Sequence, residues 1–363
     1  MAATIKDVAR MTGLSIATIS KYLNGGNVLD ANRTRIDQAV QALGFKANAM
    51  ARGLKTSRTM TVGVLIPDLE NVFCTSIVSG VENLLQAQGY GAIICDYRQQ
   101  PELERRKLEF LTDRQIDGLL MMPLGGCPDL LAELLAARVP VVLIDRPVRG
   151  LACDTVLVDN LNASYGAVER LIVEGHRRIG ILTGPEGIHT AEERLNGYLR
   201  VHGDYGLEPD RTLSRSGGDT TVGGGRETLA RLERPQPPTA LFVTNYEMTL
   251  GAVMALNERK IAIPGTLSFI GFDSMALTRI LTPSPSIVVQ PIQAISETAA
   301  RLLMRRMQGD TAGFPAMHRM KTELIVTESI APPALQRASN VPRASASTVT
   351  SSLIRAASSA ASG

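Results

Sequence analysis

The chain has 363 residues, 44% of them hydrophobic and 20% charged, the composition of a folded protein of two or three domains rather than of a disordered one. No apolar run reaches the roughly 18 residues of a membrane span, the N-terminus has no apolar leader, and Cys74, Cys95, Cys127 and Cys153 form no CxxC pair or zinc spacing; the expectation is a soluble cytoplasmic protein with reduced thiols. The net charge of +3 hides an asymmetry: residues 1–60 carry nine Lys/Arg against Asp7, Asp30 and Asp37, a net +6, residues 331–363 carry +3, and the body between them carries −6.

A basic head on an acidic body expects a polyanion as the partner of the head alone. Thr4-Ile-Lys-Asp7 has the form of a capping box, with Ile5, Val8 and Ala9 on one face of the helix that follows. Thr12-Gly13-Leu14 breaks that helix and Ser15 is a good N-cap for a second. Ile19, Tyr22 and Leu23 give the second helix an apolar face, and Asn24-Gly25-Gly26 ends it. A third helix is predicted from about Asn32 to Leu43, with Ile36, Ala39, Val40 and Leu43 inward. Two short helices across a glycine turn, with a third closing the core, make a helix-turn-helix.

From Thr61 the texture changes. Apolar runs at Val62–Ile66, Ala92–Cys95, Leu119–Met122, Val139–Ile144, Thr155–Val158, Ile179–Leu182, Ala240–Val243, Leu267–Ile270 and Ile287–Val289 alternate with amphipathic stretches such as Glu102–Gln115, Ala163–Glu174, Tyr246–Lys260 and Pro291–Met307. This is βα alternation, which implies an α/β class with parallel sheets covered on both faces. About 270 residues of it exceed one compact doubly wound domain, so two lobes are expected. From about Pro333 the composition falls to Ala and Ser, and residues 331–363 are expected to be a disordered tail.

If the helix-turn-helix binds DNA, its second helix enters the major groove and presents Ser15, Ile16, Ala17, Thr18 and, one turn on, Lys21. Lys21 suits guanine O6/N7, Ile16 and Ala17 suit thymine methyls, and Ser15, Thr18, Ser20 and Asn24 suit phosphate oxygens. Asn48–Lys55 taken alone reads as a linker, yet its composition suits a helix that orders on DNA, with Leu54 wedging between base steps and Arg52 and Lys55 near phosphates. In the body, strands end in polar pairs: Pro67-Asp68, Asp145-Arg146, Asp159-Asn160, Thr244-Asn245 and Phe272-Asp273. Carboxyl ends of parallel strands are where open α/β sheets bind ligands. Carboxylates, amides and an arginine there match vicinal hydroxyls, and Phe73 suits the apolar face of a sugar ring. GxxxxGK[ST], GxSxG and HExxH are all missing, and His176, His189, His202 and His318 show no metal-ligand spacing. Gly223-Gly-Gly225 lacks the Lys and Ser/Thr of a phosphate loop and reads as a flexible strand-to-helix connection. No enzyme activity, cofactor or metal is expected.

Over roughly residues 4–330 the chain resembles the LacI/GalR family of bacterial transcription regulators. The blocks that carry the resemblance are Thr4-Ile-Lys-Asp-Val-Ala-Arg10, Gly13-Leu-Ser15, Thr18-Ile-Ser-Lys-Tyr-Leu-Asn24, Val62-Gly-Val-Leu-Ile-Pro-Asp68, Asp117-Gly118, Ile144-Asp-Arg146, Val158-Asp-Asn160, Glu174-Gly-His-Arg-Arg-Ile179, Gly184-Pro185, Glu193-Arg-Leu-Asn-Gly-Tyr198 and Gly271-Phe-Asp273. The resemblance implies a helix-turn-helix domain (1–60) with a hinge helix at about 48–56, and an effector-binding and dimerisation domain (61–330) of two doubly wound lobes of periplasmic-binding-protein type. It implies a homodimer on a palindromic DNA operator, contacted through Thr4 and the residues above, with Leu54 in the central minor groove. A small effector, usually a sugar, would close the lobes over Phe73, Asp145, Arg194, Asn245 and Asp273. The lobes would be discontinuous, 61–158 with 287–318 next to DNA and 159–286 with 319–330 distal. Ala47 stands where the family usually has proline, Lys21 where arginine is usual, and Tyr246 and Ser274 where acids are common. The tail has no leucine heptad of the kind that forms tetramers. A sugar-binding protein that never meets DNA fits the body alone, and a sugar-metabolising enzyme fits the doubly wound fold; the basic head argues against the first and the missing phosphate loop against the second.

Overall fold

The computed structural model of the protein describes residues 3–23, 26–45, 58–273 and 277–333. The expected hinge at 48–56, with Arg52, Leu54 and Lys55, lies outside those residues, as do Asn24 and the chain beyond Pro333.

The head is built from α1 (Ile5–Thr12), α2 (Ile16–Leu23) and α3 (Asp30–Leu43). The Asp7 carboxylate accepts the Thr4 hydroxyl at 2.7 Å and the Thr4 backbone N–H at 2.9 Å. These bonds close the first turn of α1 and hold the Asp7 carboxyl below its ordinary pKa. Gly13 ends α1 at φ +64°, a left-handed backbone that glycine takes without Cβ strain. Ser15 Oγ accepts the Thr18 N–H at 3.1 Å and so starts α2. Val8, Ile19, Ile36 and Ala39 form the buried centre, with Ile5, Leu14, Tyr22, Leu23, Val40 and Leu43 around it. The Tyr22 hydroxyl donates to Asp37 at 2.7 Å and Arg35 donates to the Thr12 carbonyl, tying α3 to the other two helices.

The body follows in chain order: β1 (Thr61–Ile66), α4 (Val72–Ala87), β2 (Gly91–Asp96), α5 (Pro101–Asp113), β3 (Gly118–Met121), α6 (Pro128–Ala136), β4 (Val141–Ile144), β5 (Asp154–Val158), α7 (Asn160–Val173), β6 (Ile179–Thr183), α8 (His189–Asp204), β7 (Ser214–Ser216), α9 (Thr221–Leu232), β8 (Ala240–Val243), α10 (Tyr246–Glu258), β9 (Ser268–Phe272), the single turn α11 (Leu277–Ile280), β10 (Ser286–Val289), α12 (Ile292–Met307), β11 (Met317–Met320) and β12 (Glu323–Ile325). It forms two compact units, one containing the chain up to Leu157 with Ile292–Arg319, the other Val158–Pro291 with the chain from Met320. Each unit has one six-stranded sheet, ordered β11-β5-β4-β3-β1-β2 in the first and β12-β10-β9-β8-β6-β7 in the second. Neighbours among β1–β5 are parallel, as are neighbours among β6–β10, and β12 pairs antiparallel with β10. The two strand orders are the same pattern repeated. Strands β3, β4, β8 and β9 are buried along their whole length, which is why they stand out as unbroken apolar runs.

Two expectations are corrected. The boundary at 287 assigned β10 to the first lobe; β10 instead pairs with β9 and β12 and completes the second sheet, and the chain returns to the first unit at Ile292. An apolar run identifies a strand without saying which sheet it joins. Gly223-Gly-Gly225 is no flexible connection but part of α9. A Cβ on Gly224 would lie 2.5 Å from the Met248 backbone, and one on Gly251 would lie 1.8 Å from the Thr221 carbonyl oxygen. The glycines let α9 and α10 pack backbone to backbone.

Burial governs the titratable interior. All four cysteines are buried and unbridged, and burial is the main cause that pushes the Cys74 and Cys153 thiols up to about 12 and that of Cys127 up to about 11. His202, fully buried on α8, lies 4.3 Å from the Tyr198 ring, tilted 48° to it, and donates from Nδ1 to the Tyr198 carbonyl at 2.8 Å, while Nε2 has no hydrogen-bond partner. Burial lowers its pKa. An unfolded histidine protonates near pH 6.5, so below that pH the unfolded state binds the proton that the folded state refuses. The stability His202 confers is therefore complete above about pH 6.5 and lost as the pH falls toward its folded value. His202→Phe removes that term. The melting temperature of the wild-type protein should fall further between pH 7 and pH 5 than that of the variant, measured by circular dichroism; parallel falls would show that His202 does not titrate on unfolding.

Candidate functional site

On the head, packing and exposure divide α2 cleanly. Ile19 is fully buried against α1 and α3, which turns Ser15, Ile16, Ala17 and Lys21 outward; all four are exposed, and Ile16 keeps 45% of its surface in solvent. An exposed isoleucine in the first turn of a helix leaves apolar surface accessible beside the polar Ser15 and Lys21. Thr18 and Ser20 are half-buried, and the Thr18 hydroxyl is bonded to that of Ser15 at 2.9 Å. Thr4 is exposed but its hydroxyl is engaged by Asp7. Lys21 and Thr18 also border an open cavity of about 470 Å³ with Asn27, Val28, Leu29 and Asn32. Asn27 and Asn32 were not anticipated from the sequence, because neither carries charge and they lie outside α2, Asn27 in the connection to α3 and Asn32 in the first turn of α3.

In the second unit, Arg194, Asn245 and Asp273 come together at the carboxyl ends of β8, β9 and β10. Arg194 reaches from α8 and is buried. Its Nε donates to Asn160 Oδ1 at 2.7 Å, its Nη1 donates to the Thr244 carbonyl, and its guanidinium lies 4.0 Å over the Phe272 ring. Asn245, next to Thr244, caps α10 by accepting the Met248 N–H at 2.8 Å and donates from Nδ2 to Asp219 at 2.5 Å. Asp273 follows Phe272 in a left-handed backbone at φ +63°, its N–H bonded to the Val288 carbonyl. Its Oδ2 accepts Gln290 Nε2 at 2.6 Å.

Gln290 and Asp219 were missed in the sequence reading. Gln290 follows the β10 run as Asp273 follows β9, and the misplaced lobe boundary concealed that parallel. Gln290 is 3% exposed, and its Oε1 is buried without a hydrogen-bond partner. The bond from Nε2 to Asp273 sets which way the amide points. Leaving a buried acceptor unsatisfied costs about 1–3 kcal/mol, a penalty that a ligand hydroxyl would relieve.

The first unit repeats part of this geometry. Asp145 follows β4 at φ +71°, and its N–H bonds to the Val156 carbonyl of the next strand, the counterpart of Asp273 and Val288. Non-glycine residues held at positive φ carry on the order of 1–3 kcal/mol of strain and gather at functional sites. Asp145 is buried and accepts Arg146 Nε at 3.2 Å. Phe73 is half-buried in the first turn of α4, behind the cap that Asn71 Oδ1 makes to the Cys74 N–H at 3.1 Å. Cys74 beside them is no nucleophile, because burial and then the Asp145 charge keep it a thiol. Among the described residues no group of three or more His, Cys, Asp or Glu is placed to hold a metal ion, and no helix is long and apolar enough to cross a membrane.

Comparison with known proteins agrees with this geometry. The family profile described as "Bacterial regulatory proteins, lacI family" matches residues 4–48, and the one described as "Periplasmic binding protein-like domain" matches residues 168–330. Catabolite control protein A of Priestia megaterium is 35% identical over 315 residues, covering 86% of this chain and 94% of that protein. The HTH-type transcriptional repressor CytR of Escherichia coli K12 is 33% identical over 329 residues, covering 90% and 96%. Among solved structures, a transcriptional regulator CelR–cellobiose complex superposes with a TM-score of 0.68 at 29% identity over 90% of this chain and 99% of its own. A lac repressor dimer bound to operator and an anti-inducer shares the fold with a TM-score of 0.81 at 22% identity, over 91% and 100%. With relatives of this identity matched over nearly their whole length, the chain belongs to the LacI family of bacterial regulatory proteins, and it is a DNA-binding transcriptional repressor with a periplasmic-binding-protein-like effector domain, not an enzyme.

Proposed function

We propose that this repressor binds a palindromic operator as a homodimer and that a small effector, a sugar or sugar derivative, changes its affinity for DNA. Residues 1–60 form the DNA-binding domain, 61–330 the effector and dimerisation domain, and 331–363 a tail outside both. On DNA, Lys21 donates to guanine, Ile16 and Ala17 meet thymine methyls, and Thr4, Ser15, Thr18, Ser20 and Asn24 hold the backbone. Leu54, flanked by Arg52 and Lys55, wedges into the central minor groove. The observation that carries this half is the first turn of α2: Ser15, Ile16 and Ala17 are all exposed on a helix anchored to the head's core by the fully buried Ile19, within a head of net charge +6.

The effector reading rests on Arg194, Asn245, Asp273 and Gln290, whose amide oxygen is buried and unsatisfied, with Asp145 and Phe73 completing the contact set. A guanidinium stacked on Phe272 and a carboxylate with an adjoining amide suit the vicinal hydroxyls of a carbohydrate. The cellobiose complex of a 29%-identical regulator supports a sugar as the class of ligand.

The DNA half is tested by titrating the protein into a random-sequence duplex from 50 to 200 mM salt. Six to ten phosphate contacts make the affinity fall by about 10³–10⁵ across that range. An affinity that hardly changes with salt contradicts a phosphate-tracking head.

A further inference from the structure

The second unit carries a basic cavity that shares no residue with the effector set. It measures about 470 Å³ and is bounded by Thr212, Arg215, Ser216, Glu227, Arg231 and Arg234, at the edge strand β7 and the flank of α9. Arg231 forms its floor, with 3% of its side chain exposed. It donates to the carbonyls of Leu213 at 3.0 Å, Ile181 at 3.2 Å and Glu227 at 2.6 Å. Carbonyls satisfy its N–H groups without neutralising it. The acid beside it, Glu227, is 3.5 Å away and is shared with Arg226. Burial pushes the Arg231 guanidinium down to about 10, and the charges of Arg215 and Arg234 press in the same direction. Three arginines thus face one carboxylate around a single cavity, a local +2 on a body whose overall charge is −6.

Charge on an edge strand discourages unwanted strand pairing, which accounts for Arg215 alone. It does not account for a buried Arg231, or for Arg234, which is half-buried and bonded through Nη2 to the Thr212 hydroxyl at 2.8 Å. The Thr212 hydroxyl already donates to Asp210 at 2.5 Å, which leaves the Ser216 hydroxyl as the donor beside the converging guanidinium groups, a combination that suits a phosphate.

We propose that this cavity binds a phosphate group, either as the free dianion or as the monoester of a small metabolite, gripped by Arg215 and Arg234 with the charge of Arg231 behind them and the Ser216 hydroxyl as a further donor. The site is independent of the effector reading and stands or falls without it.

The test is isothermal titration calorimetry of the full-length protein at pH 7.5 and constant chloride, with inorganic phosphate in one series and glycerol 3-phosphate in another. Saturable binding of one equivalent per chain is expected. Arg215→Ala together with Arg234→Ala should weaken it at least tenfold, whereas Arg301→Ala, on the exposed face of α12 in the first unit, should leave it unchanged. Because Arg234 also holds Thr212, Arg215→Ala alone serves as the variant least able to disturb folding, with an expected loss of at least threefold. Tighter binding of the ester assigns the site to a metabolite, and equal or weaker binding assigns it to free phosphate. No saturable binding of either probe, or binding that survives in the double variant and so belongs elsewhere, the basic head included, overturns the proposal.

Discussion

Asp154→Ala is expected to cost the first unit about 3–5 kcal/mol of stability, the penalty for stranding a buried charge. Asp154 is fully buried on β5 and meets Arg306 of α12 through two bonds, Nε to Oδ2 at 2.7 Å and Nη2 to Oδ1 at 3.1 Å. Its Oδ1 also accepts the Ala316 N–H at 2.7 Å. Arg306 in turn donates from Nη1 to the carbonyls of Asp310 at 2.8 Å and Ala312 at 3.0 Å. One ion pair therefore fastens β5 to a distant part of the chain, the end of α12 and the loop that leads from it into β11. This is where the chain has returned from the second unit and must be held. Removing the carboxylate leaves the guanidinium buried without a counter-charge. Exchanging both partners for apolar residues of similar volume should be much milder, because no charge is then left behind. Urea unfolding followed by circular dichroism reads both. A loss under about 1 kcal/mol for Asp154→Ala would mean the pair is solvated and does not hold the crossing.

The second large effect is expected at Arg194. A hydrogen bond to a charged group is worth about 1.5–3 kcal/mol, so a guanidinium that donates twice to vicinal hydroxyls contributes about a hundredfold or more in affinity. Arg194→Ala should abolish the thermal stabilisation produced by whichever member of a panel of mono- and disaccharides stabilises the wild-type protein. Arg194→Lys should fail nearly as badly, since an ammonium cannot donate in the same plane while it lies over Phe272 and bonds Asn160. Affinity for DNA without the sugar should stay within a few-fold, because Arg194 lies in α8 and none of the proposed DNA contacts does. A variant that still responds to the same sugar places the effector on other residues.

How far the sequence could be read depended on how each element is buried. The central strands lie under helices on both faces, so they appear as contiguous apolar runs such as Val141-Val-Leu-Ile144. The edges do not: β7 reads Ser-Arg-Ser, β11 Met-His-Arg-Met and β12 Glu-Leu-Ile, short and polar because an edge has water on one side. The head was legible to its caps, since Thr4, Asp7, Gly13 and Ser15 act through bonds to near neighbours in sequence. The glycines of α9 were misread because their reason is a contact with α10, more than twenty residues away. The site followed the same rule. Residues directly after a strand, such as Asp145 and Asp273, were visible from the pattern. Arg194 was not: it sits mid-helix and reaches the strand ends through a long side chain, and only the resemblance singled it out. Gln290 required knowing that β10 belongs to the second sheet.

Sequence-specific DNA recognition by the head is what the rest of the proposed function depends on. Its most direct test is selection of genomic fragments by the purified protein at physiological salt, followed by footprinting of the enriched DNA. The expected outcome is a protected palindrome with a distorted central step, and a loss of about 1–3 kcal/mol on that site for Lys21→Ala, with less change on random duplex. Enrichment of no common sequence, or retention of the palindrome undiminished by Lys21→Ala and Leu54→Ala together, would contradict it.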